Sequence, residues 1–416
     1  MRMSALPDVR PVRWRLQALD WLNFFVANLQ TGFGPFIAVY LTTQKWTQGE
    51  IGVALSVGSA VAMLGQVPAG ALVDAIPRKR LAAALGLGLV GLSALMLALR
   101  PEWLPVMLEE ALHGFASCVL VPAIAAITLN HVGRRAFAEQ LGRNARFAAL
   151  GNAAGAGLMG AIGSALSSRA VFWFAAALAV PALLAVRAMP PRNPAADPDL
   201  AAAMDPPDDQ RAAGWQVMMD RRLLTFALCI VLFQLANAAM LPVAAAEVTR
   251  QAGDGANMII AACLVVPQAV VALLSPWVGR LADRRGRRLV LLLGFIELPV
   301  RGVLLATLAS PALIVATQLF DGIGGAALGV LVPLVAADLT RGTGRFNLCI
   351  GAIGLGVGVG ATLSTAMAGH LAGQYGNSLA FLALACAGTI GLLVVAFAMP
   401  ETRPVLRQPA PPLPGG

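Results

Sequence analysis

Two stretches decide how this chain is read: Gly70-Ala-Leu-Val-Asp-Ala-Ile-Pro-Arg-Lys-Arg80, and its counterpart Gly279-Arg-Leu-Ala-Asp-Arg-Arg-Gly-Arg-Arg-Leu289. Each interrupts a long apolar run with an aspartate and a cluster of bases, and the two aspartates, Asp74 and Asp283, lie 209 residues apart. With 416 residues, 58% hydrophobic, 12% charged and a mean hydropathy of +0.74, the chain has too little polar surface for a soluble protein of its size. The composition therefore predicts a multi-spanning membrane protein in contact with the lipid bilayer.

Apolar segments long enough to cross the hydrocarbon, about 20 residues each, fall near 17–41, 49–73, 81–99, 104–129, 144–166 and 170–189. Six more fall near 223–247, 256–278, 288–308, 311–338, 347–371 and 378–399. Between the sets, residues 190–220 are rich in Pro and Asp and break any helical period, as a linker does. The predicted organisation is an N-terminal six-helix bundle over 1–189, a cytoplasmic linker over 190–220, a C-terminal bundle over 221–400 and a disordered cytoplasmic tail over 401–416.

The net charge of +9 does not indicate a nucleic-acid partner, because the bases sit in short clusters between spans and form no stripe. With both termini cytoplasmic, the inner segments hold 25 of the 30 Lys and Arg, as the positive-inside rule requires. The basic N-terminus runs into a span-length segment with no cleavage site of small residues, so it is expected to remain as the first helix. The five cysteines lie in apolar segments without CxxC spacing and read as packing residues. No metal or cofactor is expected, and no P-loop or GxSxG points to an enzyme.

The halves superpose on each other. Val119-Leu-Val-Pro122 recurs as Val330-Leu-Val-Pro333 and carries Gly114 onto Gly325. Arg146-Phe147 falls on Arg345-Phe346, and Asp74 on Asp283, with offsets of 211, 199 and 209 residues. Parallel six-helix repeats are a recurring build of secondary transporters, with the solute site near the midplane between them.

At the paired loops the sequence resembles the major facilitator superfamily, whose signature between the second and third helices reads roughly G-x-L-a-D-r-x-G-r-r. Gly279, Leu281, Ala282, Asp283, Arg284, Gly286, Arg287 and Arg288 match throughout. The first copy keeps Gly70, Leu72, Asp74, Arg78 and Lys79, but has Ala75 and Pro77 in place of a base and a glycine. The resemblance implies an all-α membrane protein of twelve helices in two pseudo-symmetric bundles. Spans 1, 4, 7 and 10 would line a central cavity, and Gly70, Asp74, Arg78, Lys79, Gly279, Asp283, Arg284, Gly286, Arg287 and Arg288 would form a cytoplasmic gate. The completeness of the second copy predicts a larger loss of transport from Asp283→Asn than from Asp74→Asn. The glycine-rich fifth span lacks the Gly-Pro pair common in the family's antiporters, and Glu110 stands where its drug exporters carry an arginine.

Ionisable groups inside spans need a reason, since each costs on the order of 2.5 to 3.5 kcal/mol on insertion scales. Span 4 carries Glu109, Glu110 and His113, and the Val-Leu-Val-Pro register sets Glu110 on Asp321 of span 10. Glu110 and His113 share a helix face and could load and release a proton near neutral pH. Glu110, Asp321 and His113 are therefore the candidates for proton or cation coupling. Asn23 and Gln30 on span 1, with Gln234 and Asn237 on span 7, are candidates to shape the solute cavity, helix-to-helix bonding being the alternative. Glu297 and Arg301, four apart on span 9, read as a self-neutralising ion pair.

The function these features predict is proton-coupled transport of a small organic solute by alternating access, by a monomer in a bacterial inner membrane. The alternatives are an uncoupled or sodium-coupled facilitator and a non-transporting membrane receptor or scaffold.

Overall fold

The computed structural model describes residues 10–33, 35–189, 214–245, 256–307 and 310–403. In chain order these form α1 (Arg10–Thr31), α2 (Pro35–Thr43), α3 (Gln48–Ala75), α4 (Lys79–Leu99), α5 (Trp103–Ala165) and α6 (Ser168–Ala188). The second half contains α7 (Gly214–Met218), α8 (Arg221–Asn237), α9 (Ala256–Arg285), α10 (Arg287–Thr307), α11 (Pro311–Leu339), α12 (Phe346–Tyr375) and α13 (Asn377–Phe397). No strand occurs among the described residues.

Helices are the expected solution for a chain in lipid, because every backbone polar group must be satisfied within its own segment. Helix starts are marked by local chemistry: Thr47 and Glu50 form a reciprocal capping box on α3, and Asp220 accepts from the Arg222 and Leu223 amides at the start of α8. Among the described residues, eleven segments are long and apolar enough to cross a membrane. The twelfth helix, residues 134–165, carries Gln140, Arg143, Asn144, Arg146 and Asn152, which lower its hydropathy.

Several expectations are corrected. The signature stretches are not loops: Gly70 to Ala75 closes α3 and Gly279 to Arg285 closes α9. The second turn is confined to Gly286 at φ +99°, a conformation glycine adopts without strain. The fourth and fifth spans are joined with almost no loop. A straight 63-residue helix would reach roughly 95 Å, and the chain turns back at Gly133, φ 69°. The fifth helix therefore starts about ten residues before the expected 144. Of the expected linker, 190–213 lies outside the described residues, and its remainder holds the short helix α7. Of the expected tail, 404–416 lies outside them, while 401–403 is bonded to α10, as set out below. Four of the five cysteines are buried; Cys386 is exposed.

The repeat is real, but its register in the fifth and eleventh spans is not the one read from Arg146-Phe147. Gly70 lies against the Asn347 carbonyl of α12 and Gly351 against the Gln66 carbonyl of α3. Gly279 lies against the Ala138 carbonyl of α5 and Gly142 against the Ser275 carbonyl of α9. These contacts pair Gln66, Gly70, Ala138 and Gly142 with Ser275, Gly279, Asn347 and Gly351, all at the offset of 209, so Phe346 corresponds to Phe137. A glycine-rich helix offers many false registers on paper, and backbone contact through missing side chains selects one.

The halves share a core at only one end. Buried Phe137, Ala138, Leu141 and Leu129 of α5 pack with Phe226, Val335, Phe346 and Ile350 of the second half in a single cluster at the base-rich end. At the opposite end the apolar residues form two separate clusters. One, around Ile37, Tyr40 and Phe172, belongs wholly to the first half; the other, around Met240, Ile314 and Phe381, belongs wholly to the second. The molecule is thus closed at the base-rich end, and the cores part towards the other.

Candidate functional site

Between the halves lies a cavity of about 560 Å³, lined by α1, both arms of α5, α9, α11 and α12. Its walls are mostly apolar, and five amides enter it: Asn23, Gln30, Asn144, Asn152 and Gln268. Among the described residues, no Asp, Glu, Lys, Arg or His lines it. The Asn152 amide donates to the Gln268 carbonyl oxygen across the cleft at 3.3 Å. On the first-half wall a chain of bonds runs from the cavity towards the base-rich end. Asn144 donates to Thr128 at 2.9 Å and accepts from Gln140 at 2.9 Å, and Gln140 reaches Asp20, which is ion-paired with Arg143.

Two of the four expected cavity amides, Asn23 and Gln30, lie in this wall. Gln234 and Asn237 do not, because α8 contributes nothing to the lining. Gln234 packs against Gly360 of α12, and Asn237 accepts a hydrogen bond from Arg301 at 2.6 Å. Asn144, Asn152 and Gln268 were not anticipated. Their only signal was polarity inside glycine-rich or apolar runs, and the shifted register of the fifth span hid the first two.

The expected coupling residues stand outside the cavity as well. Glu110 is 4% exposed. One oxygen presses on Gly58 of α3 and the other has no protein partner. Its neighbour Glu109 is fully buried with neither oxygen partnered. His113 stacks on Phe33 with ring centroids 3.9 Å apart and lies 3.3 Å from the Ser117 hydroxyl.

Asp321 is ion-paired with Arg301 at 2.6 Å. Arg301, 1% exposed, also donates to Asn237 and, at 2.8 Å, to Gln318. The expected Glu297–Arg301 pair is therefore not formed. The arginine ties α10 to α8 and α11, and both oxygens of buried Glu297 are without a partner. Glu110 and Asp321 occupy equivalent places in the repeat but differ in partners, because Arg301 has its counterpart near Leu92 in the first half.

At the base-rich end the two signature aspartates behave differently. Asp74, 7% exposed, accepts from the Asn347 amide at 3.0 Å, the Asn347 side chain at 2.7 Å and the Leu348 amide at 2.9 Å. These are the free N–H groups at the start of α12, where a carboxylate is favoured by hydrogen bonding and by the helix dipole together. Lys79 caps the other side of the turn by donating to the Val73 and Asp74 carbonyls. Arg78 occupies the N-cap position of α4 with no side-chain cap bond.

Asp283 is paired with Arg287 at 3.2 Å inside its own half, its side chain 37% exposed. Arg287 is buried and bridges to Asp338 at 3.0 Å. Arg288 donates to the Ala396 carbonyl, and the Arg284 carbonyl accepts from Arg403. Glu401 caps the start of α10 by accepting from the Arg287 and Arg288 amides at 2.9 and 3.2 Å. Burial works to raise the Glu401 pKa, but these amides, that of Arg403 and the Arg287 charge outweigh it and leave it lowered. Across the halves, Arg134 donates to the Ala337 carbonyl at 2.7 Å. Among the described residues, the carboxylate hydrogen bonds across the halves are thus Asp74's, while Asp283, in the more complete signature copy, is paired inside its own half.

Two pseudo-symmetric bundles of membrane-spanning helices, closed on each other at one end around a central polar-flecked cavity, have the build that secondary transporters share. The Major Facilitator Superfamily profile matches residues 19–296 and 226–413. An MFS-type transporter of Mycobacterium tuberculosis is 38% identical over 391 residues, 93% of each chain. A class B tetracycline resistance protein of Escherichia coli is 33% identical over 129 residues, 31% of each chain. Among solved structures, the proton:xylose symporter XylE bound to 6-bromo-6-deoxy-D-glucose superposes with a TM-score of 0.73 at 13% identity, covering 94% of this chain and 96% of that one. The chain belongs to the Major Facilitator Superfamily and is a multi-pass membrane transporter; members of that family carry small molecules and are not in general enzymes.

Proposed function

We propose that this transporter moves a small uncharged organic solute by alternating access, coupled to a proton, as a monomer in a bacterial inner membrane with both termini cytoplasmic. The observation that carries the reading is the cavity itself. Five amides, no ionisable group and largely apolar walls suit a solute with hydrogen-bonding edges and apolar faces, whereas a charged solute would meet no counter-charge. The excess of bases at the closed end makes that end cytoplasmic by the positive-inside rule, so the conformation is closed inwards. The gate residues act here chiefly through Asp74, Gly70 and Gly279 at the seams between the halves.

Coupling to a proton is supported by acids held in hydrocarbon without bases. Glu109 and Glu110 lie about 9 to 10 Å from the start of their helix and have no cationic partner, a state tolerable only when a proton neutralises them. Uptake by the purified full-length protein in proteoliposomes, with an imposed proton gradient, tests the reading. Accumulation that collapses with an uncoupler and falls at least tenfold in Glu110→Gln is expected. Uptake indifferent to the uncoupler refutes proton coupling and favours a facilitator; uptake indifferent to Glu110→Gln removes that residue from the mechanism.

A further inference from the structure

Glu297 stands ten residues into α10, about 15 Å from its start, near the middle of the hydrocarbon. It is 2% exposed, neither of its oxygens has a partner, and the Nε of Arg301, one turn further along the helix, is also unpartnered. Arg301 instead spends its two terminal nitrogens on Asp321, Asn237 and Gln318. Two acids here share one base. A net charge in this setting is strongly disfavoured, so neutrality places one proton on the pair. Asp321 is engaged by Arg301 and its side chain is 26% exposed; the proton therefore resides on Glu297.

We propose that Glu297, Arg301 and Asp321 form a one-proton switch, in which Arg301 exchanges Asp321 and Asn237 for Glu297 when Glu297 loses its proton. The inference rests on the reading of the chain as a proton-coupled carrier. The proton passes from the Glu297 carboxyl to water, and Glu297 as carboxylate accepts from the Arg301 guanidinium. Asp321, which is exposed enough to be solvated, carries the remaining negative charge. Loss of the Arg301 bond frees Asn237 at the end of α8, where the seventh span is interrupted before residues 240–245. Past that interruption the Ala239 amide is held by the Ser364 hydroxyl of α12 at 3.0 Å, and α12 is the helix whose start is clamped by Asp74. Proton occupancy is thereby connected to the helix that makes the inter-half seal.

Among the described residues, α11 brings Asp321 to this cluster and α9 brings the thiol of Cys263. The uncharged Asn237 and Phe233 come from α8, and Gly388 and Gly391 of α13 abut Leu298, Pro299 and Phe295 on α10. Arg301 is thus the one cation among these groups.

The test counts protonated carboxyls by infrared difference spectroscopy of the full-length protein in lipid nanodiscs, with no solute and no gradient. Glu297→Gln loses one buried carboxylic-acid band. Asp321→Asn loses that same band, because Arg301, with a single acid left, ionises Glu297. Arg301→Gln keeps it, because buried Glu297 then has no base at all while the part-exposed Asp321 stays solvated. Retained helicity and a single size-exclusion peak qualify each variant. Persistence of the band in Asp321→Asn or in Glu297→Gln, or its loss in Arg301→Gln, overturns the switch. The count needs no transport, so a chain that passes it yet takes up solute indifferently to an uncoupler refutes the proton-coupled reading and leaves the switch standing.

Discussion

Replacing Asp74 with Ala should open the base-rich end. The carboxylate makes three hydrogen bonds to the start of α12 across the boundary between the halves. A hydrogen bond to a charged group contributes about 1.5 to 3 kcal/mol, so three at the lower bound give about 4.5 kcal/mol, with the helix-dipole attraction already contained in those bonds. The three bonds share one carboxylate and are not additive, so about two bonds' worth, about 3 kcal/mol, is expected, on the order of a hundredfold shift in the closed-to-open ratio at about 1.4 kcal/mol per factor of ten. Cys349, one residue beyond Leu348 and 0% exposed in the shared core, is a built-in reporter. With the other four cysteines replaced by serine or alanine, its alkylation by a membrane-permeant maleimide should quicken on the order of a hundredfold in Asp74→Ala. Asp74→Asn, which keeps a weaker acceptor, should quicken it about tenfold, and Asp283→Asn less than threefold, because among the described residues Asp283 bonds within its own half. Equal rates in Asp74→Ala and the parent, or a rate in Asp283→Asn matching Asp74→Ala, would refute the clamp.

Other outcomes follow from the same contacts. A methyl group on Gly70 would collide with the Asn347 backbone, whereas one on Gly52 meets nothing within 4 Å. Gly70→Ala should therefore destabilise the closed end by about 1 to 3 kcal/mol and slow transport, with Gly52→Ala unchanged in the same vesicles. Gln268→Leu removes a cavity amide worth about 0.5 to 1.5 kcal/mol and should raise KM roughly two- to tenfold with little change in maximal rate; a fall in rate at unchanged KM would place Gln268 outside solute binding. The Glu401 pKa is lowered in the folded chain, so its hold on α10 is present above the ordinary carboxylate range and is lost as pH falls through the lowered value. Hydrogen exchange at the start of α10 should accelerate on acidification through that point, and Glu401→Gln should exchange fast at every pH; a parent protein with no acid dependence would contradict the cap.

The class of fold and its two-fold build were legible before any coordinates, because the hydrocarbon imposes segment length and composition, and base clusters mark the segment ends. Asp74 and Asp283 were found the same way, as charges that interrupt apolar runs. The partners of those charges were not legible. Asp74 meets Asn347 from 273 residues away, and Arg301 turns from Glu297, one helical turn off, to Asn237 and Asp321 on other helices. Periodicity places a side chain on a face and says nothing about what stands opposite.

The amino-acid sequence by itself therefore determined that the chain crosses a membrane in two repeated sets of six helices, since burying backbone and apolar side chains in lipid leaves few other solutions. It also determined that Glu110, Glu297, Arg301 and Asp321 demand neutralisation. Which acid has a base, which amides face the cavity, and which signature aspartate bonds across the halves were decided only by tertiary packing. Helix rotation and close approach through Gly70, Gly142, Gly279 and Gly351 set those pairings, and a missing side chain constrains a neighbour only once that neighbour is there.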